Sequence, residues 1–412
     1  MRPFIVRASR LYRIVSCFFL LLFFVAGQVK AVDVPLFPVL PPLAPGDQFG
    51  DAIATLGDDI LVGATGANSG AGTAYLWDSS ATTWWEIPNP APSLGDHFAE
   101  AVAISDDYIV IGGDWDNGSN GGAFVFDTAT RTLLSPLNHI PSFPDHFGQS
   151  VAVLGDTVIV SAHFENFEAG AVYLFDATTG NKLHALDHTP VAGDRFGHCV
   201  AAADGKIIVT ASGQNFGLGK GYIFDAASGD LLNTFQKATP DVADEFGASP
   251  GGIALSGNNI IVGAYEDDAG AWNAGGVYVF DVTTGGNEVL HIPNPYPDAQ
   301  DHFGAAVAAV GNSILIGATD DGTDTVSGAG RAYLFDGAAL MNTYESTDAV
   351  NGGFFGDAVG ATGDTVLIGA WGEFGMAGAL HSSPVPEPST LLLLSMGVLG
   401  FLAYAYRRHK RR

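Results

Sequence analysis

From about residue 45 to residue 380 the chain is a succession of short apolar runs separated by Gly-, Asp- and Thr-rich turns. The stretch from 145 to 186 shows the plan most clearly. Asp145-His146-Phe147-Gly148 opens it. Gln149–Leu154 then alternates as a first strand, and Gly155-Asp156 turns the chain. Thr157–Ser161 is an apolar second strand, a loop leads to a third over Ala171–Asp176, and after Thr178-Thr179-Gly180 a fourth follows over Lys182–Leu186. Four antiparallel strands in a unit of about 50 residues make a propeller blade.

The same phase recurs along the chain. Aligned on one phenylalanine, the units begin at Phe49, Phe98, Phe147, Phe196, Phe246, Phe303 and Phe355, with spacings of 49, 49, 49, 50, 57 and 52. Fifteen residues on, a small-residue pair closes the second strand, as in Gly63-Ala64, Gly112-Gly113 and Gly317-Ala318. The fifth unit reaches Gly263-Ala264 later because Ser249-Pro250-Gly251 is inserted. In the first six units the third strand ends in Asp: Asp78, Asp127, Asp176, Asp225, Asp281 and Asp336. A lone blade cannot bury both faces, and seven in a ring bury each face on a neighbour. The pattern therefore predicts an all-β fold, one seven-bladed β-propeller over residues 32–383. The last unit stops after its third strand, near His381. The segment Val34–Leu40 is expected to supply the missing fourth strand and close the ring.

These repeats resemble the FG-GAP repeats of the integrin-α-type propeller, most closely the bacterial variant with an Asp-x-Phe-Gly opening and a Gly-Asp turn. The resemblance spans about residues 45–380, with Ala99 standing where Gly is expected and Gly353 where Asp is expected. It implies the propeller fold. The integrin-type calcium loop between first and second strands is reduced here to turns such as Gly57-Asp58-Asp59 and Gly155-Asp156-Thr157, which lack the oxygen donors that calcium needs. In the consensus itself, the Gly permits close backbone approach, the Phe wedges between blades and the Asp accepts N–H bonds in the turn.

Both ends read as addresses. Residues 1–31 carry four arginines, an apolar run over Cys17–Ala26 and small residues at Val29-Lys30-Ala31, the pattern of a removable signal peptide. Residues 384–412 carry Val385-Pro386-Glu387-Pro388, an apolar stretch over 391–406 and the basic end Arg407–Arg412. Sixteen apolar residues span roughly 24 Å as a helix, short for a bilayer core of about 30 Å, and the basic end is expected to stay cytoplasmic. This tail closely resembles the PEP-CTERM sorting signal of Gram-negative bacteria. The resemblance implies processing by an exosortase near Val385, Pro386, Glu387 and Pro388, after transient insertion into the inner membrane, and an association with exopolysaccharide production.

Composition sharpens the picture of the body. The formal charge of the chain is −27, but residues 32–383 hold seven basic residues against 43 acidic ones, a balance near −36. Such a surface repels nucleic acid and anionic lipid. Outside the leader there is one cysteine, Cys199, so no intrachain disulfide is expected.

Candidate chemistry lies on the face that carries the second-to-third-strand loops and the incoming Asp-x-Phe-Gly turns, because these loops vary most. They hold Asp114-Trp115-Asp116-Asn117-Gly118, Phe164-Glu165-Asn166-Phe167, Glu266-Asp267-Asp268 with Trp272, Asp320-Asp321-Gly322-Thr323-Asp324, and Trp371 with Phe374. Aromatics beside carboxylates suit stacking on sugar rings; equally, they suit loop packing and solvation. No cofactor is called for, and calcium is the one ion that Asp114-x-Asp116 or the 320–324 loop would suit. His97, His146 and His302 share one repeat position on blades two, three and six, where the ring is expected to hold them apart. His198 and Cys199 are strand neighbours expected to face opposite ways. Gly217-Leu218-Gly219-Lys220 lacks phosphate-loop spacing, and no Gly-x-Ser-x-Gly elbow occurs. No residue is assigned a catalytic or metal-binding role. The expectation is an exported, non-enzymatic binding, adhesion or structural protein of the cell surface or exopolysaccharide matrix, with polysaccharide or a surface protein as partner. The alternative is a polysaccharide-acting hydrolase or lyase on the same scaffold.

Overall fold

The computed structural model describes residues 40–386 apart from 116–119, 138, 140–143, 187, 242, 250, 285 and 324–325. The expected signal peptide, the segment up to residue 39 expected to close the ring, and the tail from Glu387 onward, including Pro388 and the apolar stretch 391–406, lie outside the described residues. Among the described residues no helix is long and apolar enough to cross a membrane.

Seven antiparallel sheets follow one another along the chain, six of four strands and a last one of three. The strands match the repeat plan closely. Blade three comprises Phe147–Leu154, Thr157–Ala162, Ala171–Asp176 and Lys182–Ala185. The second strand of each blade is almost wholly buried, because both its faces pack on neighbouring blades. The fourth is outermost and mostly exposed. The core is thus a set of inter-blade layers. One layer joins Val110 and Val125 of blade two to Val158, Val160 and Phe175 of blade three.

The repeated phenylalanines Phe49, Phe98, Phe147, Phe196, Phe246, Phe303 and Phe355 are all fully buried. Each wedges beside the preceding blade. Backbone bridges pair Phe98 with Gly72, Phe147 with Gly121, Phe303 with Gly275 and Phe355 with Gly330. The ring closes by the same device: Phe49 bridges to Gly378 of blade seven, and its N–H donates to the Ala377 carbonyl at 3.0 Å. The fourth strand of blade seven, expected from Val34–Leu40, is not among the described elements.

The Asp of each opening turn caps it. The carboxylates of Asp47, Asp194, Asp244 and Asp301 accept the N–H three residues upstream at 2.6–2.9 Å, and Asp96 does the same for Ser93. Gly353, the exception, donates its own N–H to the Val350 carbonyl at 3.0 Å. The third-strand aspartates hold the opposite face: Asp127, Asp176, Asp225 and Asp281 accept N–H and hydroxyl bonds from the next two or three residues. These bonds keep their carboxyls below the ordinary value. Much of the chain's acidity is therefore turn chemistry.

Candidate functional site

The innermost strand of each blade begins at the loop face, and there it is irregular. Register shifts fall between Phe49 and Ile53, Phe196 and Val200, and Phe303 and Val307. The glycine after Phe sits at positive φ, 100° at Gly50 and 101° at Gly148, which a side chain would strain. In blades one, two and seven the residue two after the Phe lines the axial mouth. Around the ring that position reads Asp51, Glu100, Gln149, His198, Ala248, Ala305 and Asp357.

The mouth is a cavity of about 400 Å³ lined by Asp51, Glu100 and Asp357, by His97, Gln48 and Trp371, and deeper down by Ile53, Val102, Val151, Val200 and Val359. Ser249 and Gly251 of the blade-five insertion reach into it from the opposite side, and the Gly251 carbonyl accepts the Val307 N–H at 2.8 Å. The mouth is therefore lopsided. Blades seven, one and two supply carboxylates, and blade five supplies Ser249 and Gly251.

The acidic sector is held in place residue by residue. Asp51 accepts the Thr65 hydroxyl at 2.6 Å, and Asp357 accepts a bond from Trp371. Asp114 closes the second strand of blade two, and its Oδ2 pairs with His146 Nδ1 of blade three at 2.9 Å. Its other oxygen, Oδ1, is buried without a partner, as is Glu100 Oε2. No Lys or Arg lines the mouth among the described residues. Burial, then Asp114, Asp51 and Asp357, hold the Glu100 carboxyl well above the usual range; burial, then Asp51 and Asp320, do the same for Asp357.

Beside the acids runs a file of rings. Trp115 has His97 on one side at 6.0 Å and His146 on the other at 5.4 Å between centroids. His146 stacks on Phe164 at 4.5 Å, and His163 stacks on His198 at 4.8 Å. His198 Nδ1 pairs with Ser212 Oγ at 2.6 Å. Burial and then Arg195 push the His198 imidazole down to about 3, and burial lowers His163 further. Large side chains bridge blades two and three, so His97 and His146 flank one indole. His302 stays apart, with Asp320 at 2.7 Å.

Around this mouth stand the second-to-third-strand loops. Each is strung between two blades: Gly213 N–H donates to Asp194 of its own turn, and the Glu168 carbonyl accepts Arg195 N–H of the next blade. In blades one, three, four and seven the loop makes a single helical turn, over Ala67–Gly70, Glu165–Glu168, Gln214–Gly217 and Glu373–Met376. Phe167 and Phe216 occupy the same tip position on adjacent blades. They are 92% and 93% exposed, with φ of 62° and 67°.

The repeat architecture has a family signature. Matches to the FG-GAP repeat cover residues 92–126, 142–175, 240–280 and 297–335, which are blades two, three, five and six. The chain carries FG-GAP repeats. Blades one, four and seven share the phase and the geometry of the matched FG-GAP units. A PEP-CTERM protein-sorting motif matches residues 384–408, which include Val385, Pro386, Glu387 and Pro388. That motif marks an exported chain sorted by an exosortase to the membrane or cell surface. No curated protein matches the chain.

The loop residues singled out from the sequence divide in two on the FG-GAP scaffold. Asp267 is buried against Lys237 Nζ at 2.8 Å and the Tyr278 hydroxyl; Asp321 is buried against Arg331 at 3.0 Å and the Tyr333 hydroxyl. With Asp320 on His302, the 320–321 carboxylates are already committed to protein donors. Trp371 stacks on Phe354 at 4.3 Å, and Glu165 accepts the Tyr173 hydroxyl at 2.6 Å. Those side chains build loops. Phe167, Trp115, Trp272 and Phe374 remain available to a partner. Asp116, Asn117, Gly118 and Asp324 lie outside the described residues. The axial column Asp51–Glu100–Asp357 was not singled out from the sequence. Its signal was the second position after each repeat Phe, where the residue type changes blade by blade.

Proposed function

We propose that this FG-GAP propeller is a non-catalytic binding module of the cell surface or exopolysaccharide matrix, and that the loop face holds an extracellular polysaccharide. Phe167 and Phe216 carry the reading. A fully exposed ring forgoes the burial that would favour it, and a left-handed backbone disfavours any residue with a Cβ. The bonds that string each loop between two blades hold this backbone, while the rings themselves stand in solvent. Two such rings at one position on neighbouring blades form a repeated, sequence-spaced platform, with Trp115 and Trp272 on the same face. Flat apolar rings suit the faces of sugars. The strongly acidic body favours an uncharged polymer over a polyanion.

The test is a titration of the full-length chain with neutral polysaccharides, read by tryptophan fluorescence. A saturable change is expected, with affinity at least tenfold weaker in the double variant Phe167→Ala, Phe216→Ala. Equal affinity in parent and variant would remove the platform from the account. A second reading, a hydrolase or lyase, draws on the axial acids, since burial and neighbouring carboxylates raise the Glu100 and Asp357 carboxyls, the direction general-acid work requires.

A further inference from the structure

The axial acids of blade two have a feature that neither turn chemistry nor the loop platform explains. His97, Glu100 and Asp114 each offer one ligand atom, and these atoms all lie within 4.8 Å of one another. His97 Nδ1 is 3.9 Å from Glu100 Oε2. Asp114 is 3% exposed. His146 holds its Oδ2 at 2.9 Å; Asp114 Oδ1 and Glu100 Oε2 are buried with no donor other than a proton the two carboxyls can share, the place a cation would take. Two ionised carboxylates buried side by side without a donor are costly unless a proton or a cation lies between them. Asp51 and Asp357 line the adjoining mouth and add negative charge, and no Lys or Arg lines it among the described residues.

We propose that His97, Glu100 and Asp114 form a divalent transition-metal site at the rim of the axial mouth, with zinc or manganese as the fitting ions. One imidazole nitrogen and two carboxylate oxygens are a borderline donor set. Calcium and magnesium prefer oxygen-only shells, and calcium needs six to eight donors, which the site does not present. Donors on a metal at about 2.1 Å lie roughly 3.4 Å apart in a tetrahedron, so small rotamer changes close the set. His146 on Asp114 is the supporting contact that fixes a carboxylate ligand in orientation. The site is independent of the loop-tip platform and stands whether or not polysaccharide binds.

The experiment is isothermal titration of the chelator-stripped full-length chain with zinc chloride, manganese chloride and calcium chloride. One equivalent of zinc or manganese per chain is expected, bound more tightly than calcium. His97→Ala and Glu100→Gln should each weaken binding at least tenfold, whereas His302→Ala, at the same repeat position on blade six, should not. In thermal melts zinc should raise the melting temperature of the parent chain and of His302→Ala, but not of Glu100→Gln. That second readout holds if Asp114→Asn fails to fold. Absence of stoichiometric binding, tighter binding of calcium, or equal binding by Glu100→Gln would overturn the site.

Discussion

At the scale of single residues, neighbouring positions in one short motif do different work. Phe builds every blade, with Gly after it in all but blade two, while the next residue varies around the ring and lines the mouth in blades one, two and seven. Sequence periodicity found the first two and missed the third for a physical reason. An alternating strand assigns faces by odd and even positions, and one bulged residue reverses that assignment. The turn aspartates were legible because an Asx cap is local; the axial acids were not, because their neighbours lie about 50 or 300 residues away. Asp357 gives a test. Its folded pKa is raised from 3.8 by burial and then by Asp51 and Asp320, so its contribution is fully present below about pH 4 and is lost as pH rises toward the raised value. With chelator present, Asp357→Asn should melt with the parent near pH 4 and above it at pH 7.5. Melting below the parent at pH 7.5 would mean that the ionised carboxylate is the stabilised form.

At the scale of elements, blades meet backbone to backbone near the axis. A Cβ placed on Gly63, Gly112, Gly263, Gly317 or Gly369 would collide with the carbonyl oxygen after the Phe of the next blade. Blades three and four have Ser161 and Thr210 there, and use the hydroxyls: Ser161 Oγ accepts Ser150 N–H at 3.1 Å, and Thr210 Oγ1 donates to the Gly247 carbonyl at 2.7 Å. Gly317→Ala is expected to destabilise the propeller by about 1–3 kcal/mol in denaturant unfolding. Gly57→Asn, in an open turn at φ 57°, should change stability little. Equal stability of Gly317→Ala and the parent would remove this contact from the packing account. Strand positions were legible because each strand is a local apolar run. The one-turn helices of four loops were not, since their left-handed tips, such as Asn215-Phe216, follow from being strung between two blades.

At the scale of the molecule, the chain is an exported ring whose few cations act as staples. Arg131 reaches Asp78 of blade one at 2.6 Å, Lys237 pairs with Asp244 and Asp267, and Arg331 pairs with Asp321 and Glu345. The remaining acidity sits in turns, on the surface and at the mouth. A rigid ring with one face of tight turns and one face of loops points to recognition on the loop side. The most direct measurement incubates the full-length chain with a panel of neutral bacterial and algal polysaccharides, with and without added zinc. Bound protein and new reducing ends are scored from the same tubes. The account predicts retention without new ends, lost in the Phe167→Ala, Phe216→Ala variant. New ends that disappear in Glu100→Gln or Asp357→Asn would contradict it and make the axial carboxyls the working groups of an enzyme.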